Sequence, residues 1–267
     1  MKIVRLIALG CSSVLAILIL ASHSNAQASN QHSWQNVAED LELIEFDLPT
    51  SNLFPSKLTA VRTHRKRYRV SVLRATSFGL KSADARSLCE RSKAIFCLNA
   101  NFFDERGLPL GLVVSRSIQH NGIHRGGSTL TGIFQVDSSG PSIIPRSAYS
   151  SGSAFEAVQA GPRLIVDGDR VKIKETAVSR RSGVCVDSQN RLIFYLANSS
   201  LGGISFAELQ SVLMVPPLNC VDALNLDGGG SAQMYLSSKA PGASASLQEI
   251  LITGRDKVPV MLGLVQK

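Results

Sequence analysis

One stretch constrains the fold of this chain more than any other: DALNLDGGGSAQMYL, Asp222 to Leu236. Apolar residues run up to Asp227, three consecutive glycines follow, and apolar residues resume after Ser231. Glycine inside regular structure costs roughly 0.5–1 kcal/mol relative to alanine. Three together therefore mark a tight turn or a close approach of backbone to something else. The pattern reads as strand, turn, strand, with a lone carboxylate where the first strand ends.

The flanking sequence extends this strand-rich reading. ELIEFDLP and YRVSVLRA alternate as strands, and GLVVSRSIQ reads as another. TGIFQVDSSGPSIIP predicts a hairpin turned at Ser-Ser-Gly, and RSGVCVDSQNRLIFYLAN a second, turned at Asp187–Asn190. Two segments have helical spacing: Ser82–Ala94, with Ser82 as a cap, and ISFAELQSVL. Strands outnumber helices and the links between them are hairpin-like. The expected class is α+β: one domain over residues 41–267, with mixed, largely antiparallel β-sheets and a few packed helices.

The chain has 267 residues, and its start reads as a secretory signal. Lys2 and Arg5 precede an apolar run that is strongest from Val14 to Ala21, and small residues at Ser24–Ala26 predict cleavage after Ala26. Residues 27–40 are polar and read as a loose leader. No later segment is long and apolar enough for a membrane-spanning helix. The expected location is exported, either periplasmic or secreted. Beyond the signal lie Cys89, Cys97, Cys185 and Cys220. Export permits disulfides. Cys89–Cys97 is the pair nearest in sequence, Cys185–Cys220 is its complement, and the other pairings or four free thiols remain open. The formal net charge is +8, concentrated in RTHRKRYR, Arg62–Arg69. That run reads as a solvated face, and no nucleic-acid motif accompanies it.

Several chemistries fail on missing residues. A P-loop requires a lysine after its glycines, and none is present. A nucleophile elbow requires a closing glycine, and Gly229–Gln233 lacks it. His120 and His124 are four apart, but Asn121-Gly122 between them signals a turn rather than the helix a two-histidine metal pair needs. What remains is Asp227 beside backbone that a ligand can approach. Its N–H groups can face anionic oxygens, which suits a sugar phosphate. A plain hairpin with Asp227 as a cap is the alternative.

At this point a resemblance becomes visible. NLDGGGSA is similar to the signature of the phosphodiester glycosidase family. Asn99–Asp104 (NANFFD) resembles that family's N-G-G-F-F segment, and Gln159–Gly168 (QAGPRLIVDG) its G-P-x-L segment. SRRSGVCVDSQNRLIFYLA, ISFAELQSVL and GRDKVPVMLGLV resemble further segments in the same order, together spanning roughly residues 95–265. Departures are Ala100 and Asn101 in the first segment, and LANSSLGGIS where V-D-G-R is usual.

The resemblance implies a hydrolase cleaving a sugar from a phosphodiester, and it assigns roles. Asp227 is the expected catalytic carboxylate, with Asp104 or Asp222 as a second. Gly228, Gly229 and Gly230 offer backbone donors, and Ser231 a hydroxyl. Arg163 and Arg181 are expected to hold phosphate, with surface ion pairs as the alternative. Asn99 and Asn101 are expected on sugar hydroxyls or as loop caps. Phe102 or Phe103 either stacks on a sugar or packs in the core. No cofactor is required, and a divalent cation on carboxylates stays open. The expected partner is a carbohydrate phosphodiester or glycan, with no nucleic acid. Two other readings stand beside this one: a non-catalytic glycan- or phosphate-binding envelope protein, and a polysaccharide- or peptidoglycan-active enzyme whose substrate lacks phosphate.

Overall fold

Alternating burial along a strand forces it between two layers, and Leu192–Ser199 does this most clearly. Phe194 and Leu196 face one apolar cluster while Ile193, Tyr195 and Ala197 face another, all fully buried. Each such side chain contributes about 1.5–3 kcal/mol on leaving water. A computed structural model describes residues 32–50 and 54–267. The expected signal segment lies outside the described residues.

Three sheets share the inner cluster. The first has eight strands in the order β1 (Gln35–Ala38), β2 (Leu41–Asp47), β3 (Ser56–Thr63), β14 (Leu192–Ser199), β13 (Arg181–Asp187), β15 (Cys220–Asn225), β11 (Arg163–Val166) and β12 (Asp169–Arg170). The second has the order β7 (Ile118–Asn121), β6 (Val113–Ser115), β10 (Glu156–Ala160), β8 (Gly132–Asp137) and β9 (Gly140–Pro145). The third has the order β17 (Ile250–Ile252), β16 (Met234–Leu236), β5 (Phe96–Asn99), β18 (Val260–Gln266) and β4 (Tyr68–Arg74). Leu43, Phe194 and Leu224 of the first sheet meet Phe134 and Val158 of the second and Val72, Phe96 and Leu262 of the third.

The outer faces carry the helices. α2 (Phe206–Leu213) covers the first sheet with Phe206, Leu209 and Leu213 against Ile193 and Tyr195. Ser205 and Glu208 close a capping box at its start. α1 (Ala85–Ser92) covers the third sheet with Leu88 and Cys89 against Cys97 and Met261.

The expected hairpins β8–β9 and β13–β14 form, as do both helices. Three details differ from expectation. Every strand pairing among the described residues is antiparallel and the helices are only two short ones, so the fold is more β-rich than a mixed-sheet α+β class implies. Asp84, not Ser82, caps α1, because its carboxylate reaches the Ser87 N–H at 2.9 Å. Gln35–Ala38, expected within the leader, pairs with β2 instead. The adjoining Trp34 donates its indole N–H to the Pro217 carbonyl at 3.0 Å and lies under the Arg62 guanidinium. Of the cysteines, Cys185 and Cys220 are bonded, while Cys89 and Cys97 are free and buried.

Candidate active site

The triglycine segment joins two sheets rather than two arms of a hairpin. β15 pairs with β13 and β11, whereas β16 pairs with β5 and β17. Asp227 sits at this crossing. Its N–H donates to the Ala100 carbonyl at 3.0 Å. Its carbonyl accepts from Asn99 Nδ2 at 2.5 Å and from Ser182 Oγ at 2.8 Å. Asn99 Oδ1 also accepts from the Gln233 N–H at 3.1 Å. One buried amide therefore fixes both ends of the segment.

Each glycine answers a different local demand. Gly229 has φ +57°, a conformation costly to residues with a Cβ. A Cβ on Gly228 would lie 2.6 Å from the Arg180 carbonyl oxygen, and one on Gly230 would collide with the Asp256 carboxylate. The backbone donors are mostly engaged inside the protein. The Gly229 N–H donates to the Arg180 carbonyl at 2.8 Å and the Ser231 N–H to the Gly228 carbonyl at 3.1 Å. The Ser231 hydroxyl and the Gly228 N–H stand close enough to the Asp227 carboxylate to favour its ionised form.

Burial pushes the Asp227 carboxyl up to about 6, and the nearby charge of Asp256 pushes in the same direction; the Ser231 and Gly228 donors only partly offset them. Asp256 is held in place by the backbone: its N–H donates to the Gly230 carbonyl at 3.1 Å and its carbonyl accepts from Gln233 Nε2 at 2.8 Å.

A cavity of about 560 Å³ opens beside the loop, lined in part by Gly229, Arg180, Arg255, Thr253 and Asn198. Arg180 is 9% exposed and its Nη2 donates to the Thr253 carbonyl at 2.9 Å, while its Nε is buried without a partner. Burial, then the charge of Arg255, lowers its proton affinity. Among the described residues neither arginine forms an ion pair. Two cations at one cavity with no direct ion pair favour an anionic ligand.

The other expected site residues separate into groups. Arg181 adjoins Gly228 but turns away: its guanidinium stacks 3.7 Å from the Phe206 ring and donates to Glu175 at 2.9 Å and to the Ala177 carbonyl at 2.7 Å. It is buried structure, not a phosphate ligand facing the cavity. Arg163 lines a different cavity with Thr131 and Lys172. Asp104 is occupied in its own turn by the Leu108 and Arg106 N–H groups. Asp222, in β15, lies five residues before Asp227, about 16 Å away at strand rise, where it accepts from the Asp167 N–H. Neither joins Asp227; Asp256 stands there instead. Asn99 and Asn101 are buried, and Asn101 Nδ2 donates to the Leu112 and Gln159 carbonyls. Both act as backbone clamps rather than sugar contacts. Phe102 and Phe103 pack against the apolar clusters. His120 is on a strand, and no group of three or more metal-ligating side chains gathers among the described residues.

Arg180, Arg255 and Asp256 lie within SRRSG and GRDKVP, where no local pattern marks them as site residues. In SRRSG, adjacent arginines at a strand entry point to opposite faces, so only one can line the cavity. Nothing in the order of the letters says which.

The profile of the phosphodiester glycosidase family matches residues 92–265. No curated protein matches at a significant level. Among solved structures, the zebrafish N-acetylglucosamine-1-phosphodiester alpha-N-acetylglucosaminidase catalytic domain, auto-inhibited by its pro-peptide, is 17% identical, with TM-score 0.66 and coverage of 89% of each chain. A hypothetical protein from Synechocystis is 17% identical, with TM-score 0.60, over 88% of this chain and 64% of that one. A Burkholderia pseudomallei protein described as a candidate exported protein is 13% identical, with TM-score 0.55, over 79% of this chain and 74% of that one.

Proposed function

The chain belongs to the phosphodiester glycosidase family and is a glycosidase, and from that premise we propose that it is an exported enzyme cleaving a sugar-1-phosphodiester in an envelope or extracellular glycan. One observation carries the reading: a carboxyl held near pKa 6 stands two residues before Gly229, which lines a cavity together with Arg180 and Arg255. When the bond between the anomeric carbon and the phosphate oxygen breaks, its electron pair leaves with the phosphate. Arg180 and Arg255 meet that charge, in the manner of a preorganised electrostatic site. The ionised Asp227 carboxylate supports the positive charge developing on the sugar carbon, and water completes hydrolysis. Because phosphate leaves readily, this scheme asks little of a general acid and uses protein groups alone. Asn198 and Leu201, from the segment where this chain departs from the usual V-D-G-R, also line the cavity and would shape the choice of sugar or aglycone.

The test compares turnover of a glycosyl phosphodiester with that of the matching alkyl glycoside, for the wild type and for Asp227→Asn. The reading expects hydrolysis of the phosphodiester alone and its loss in the variant. Full activity in Asp227→Asn overturns the mechanism. Preference for the alkyl glycoside overturns the substrate class, and binding without any turnover favours a glycan-binding role.

A further inference from the structure

A second basic hollow lies at the opposite edge of the third sheet. Its volume is about 440 Å³, and its lining includes Arg69, Arg74, Arg116, His120, Ser71 and Ser115. One row of register partners runs from the first cavity to it: Leu251 opposite Tyr235, then Cys97, then Gly263, then Ser71. Leu251 lines the first cavity and Ser71 the second. Four strand spacings separate them by about 19 Å.

The hollow is built rather than incidental. Arg116 and Ser117 form the turn between β6 and β7 with φ of +53° and +63°, positions that hairpins normally give to asparagine and glycine. The turn is held from below. Glu156, 7% exposed, accepts from the Arg116 N–H at 3.3 Å and from the Val72 N–H at 2.8 Å. The Ser117 N–H donates to the Phe155 carbonyl at 2.8 Å. Ser115 Oγ donates to the Val72 carbonyl at 2.8 Å, so the edge of β4 is closed to another strand. Arg74 Nη1 faces His120 Nε2 at 3.0 Å, an arrangement that leaves the imidazole as the acceptor. Arg69, Arg74 and Arg116 form no ion pair among the described residues. Glu156, beneath the turn, is buried and accepts two N–H groups; the charges of Arg116 and Arg69 act on it without a direct ion pair.

We propose that this hollow is a second anion-binding site, which takes a phosphate- or carboxylate-bearing unit of a polysaccharide that also reaches the first cavity, about 19 Å away along the sheet. Its concavity and its serine hydroxyls fit a sugar chain carrying oxyanions better than a flat lipid surface. The anion site stands on its own residues; that its ligand is a polysaccharide rests on the glycosidase reading. Two sites on one polymer raise the effective concentration of substrate at the first.

The experiment measures binding of the full chain to dextran carrying phosphate esters, to unmodified dextran and to phosphatidylglycerol vesicles. The proteins are the wild type, Arg69→Ala/Arg74→Ala/Arg116→Ala, the milder Arg116→Glu and, as a first-cavity control, Arg180→Ala. Wild type is expected to bind only the phosphorylated dextran. The triple variant should lose about tenfold or more of that affinity, with Arg116→Glu weakened in the same direction. Arg180→Ala should still bind, and turnover of a small glycosyl phosphodiester should be unchanged in both groove variants. Wild-type affinity in Arg116→Glu, loss of binding in Arg180→Ala, or preference for vesicles overturns the proposal. If no phosphodiester turns over while the groove variants still lose binding, the enzymatic reading falls and the anion site stands.

Discussion

At the scale of single residues, Asp227 is destabilising for the reason that makes it useful. Its carboxyl moves from 3.8 to about 6 on folding, so the folded state holds the proton more tightly than the unfolded one. The stability this lends is complete below the unfolded value and is lost as pH rises through about 6. Asp227→Asn should therefore make the protein more resistant to urea at pH 7, by about 1–3 kcal/mol. The same change should lower kcat/KM by roughly 10²–10³-fold or more. A variant both weaker and less stable would contradict the assignment. In the wild type, kcat/KM should rise with pH through about 6, because the ionised form works. Asp256→Asn removes a like charge, so that limb should move to lower pH, read from the pH profile of the variant. The neighbouring arginines should part in behaviour. Arg180→Ala should cost roughly 10²-fold in kcat/KM with little change in melting. Arg181→Ala removes the stacking on Phe206 and the bonds to Glu175 and Ala177, and should instead cost about 1–3 kcal/mol of stability.

At the scale of elements, what could be read from the sequence was local. The hairpins β8–β9 and β13–β14 and both helices depend on turn residues and spacing a few positions apart, and these were visible in the letters. Asp227 and its glycines were visible too, since a carboxylate and three missing side chains stand out in any context. Asp256 was not, because its place beside Gly230 comes from packing between segments about 26 positions apart, and no local signal encodes that. The choice of Cys185–Cys220 over the other pairings is similarly non-local: β13 and β15 lie side by side with Cys185 opposite Ala223 and Asp187 opposite Cys220. Since β13 carries Ser182 and β15 leads into Asp227, that bond braces both strands entering the site. Replacing both cysteines with serine should cost about 2–4 kcal/mol in urea unfolding. Reductant should lower the stability of the wild type by a similar amount and leave the double variant unmoved. Equal sensitivity of the two would mean that Cys89 and Cys97 are joined by a disulfide, against their free state in the structure.

At the scale of the whole molecule, no single sheet owns the site. Ser182 and Asp227 extend from the eight-stranded sheet, whereas Asn99 and Gln233 belong to the sheet of β5 and β16, and hydrogen bonds across the crossing tie them together. Beneath them one apolar cluster draws on all three sheets. Opening either sheet therefore breaks both the core and the carboxylate's support, and loss of activity and loss of structure should be one cooperative event. The single tryptophan provides a distant reporter: Trp34 packs on Arg62 and Pro217 at the far edge of the eight-stranded sheet. Urea titrations followed by activity, by far-ultraviolet dichroism and by Trp34 fluorescence should give coincident midpoints. Asn99→Ala, which unties both ends of the glycine segment, should lower all three midpoints together and cost about 1–3 kcal/mol of unfolding free energy for the buried backbone groups left without a partner. Activity failing at lower urea than the other two signals would mean that the crossing opens locally, and that the two sheets are coupled more weakly than their shared core requires.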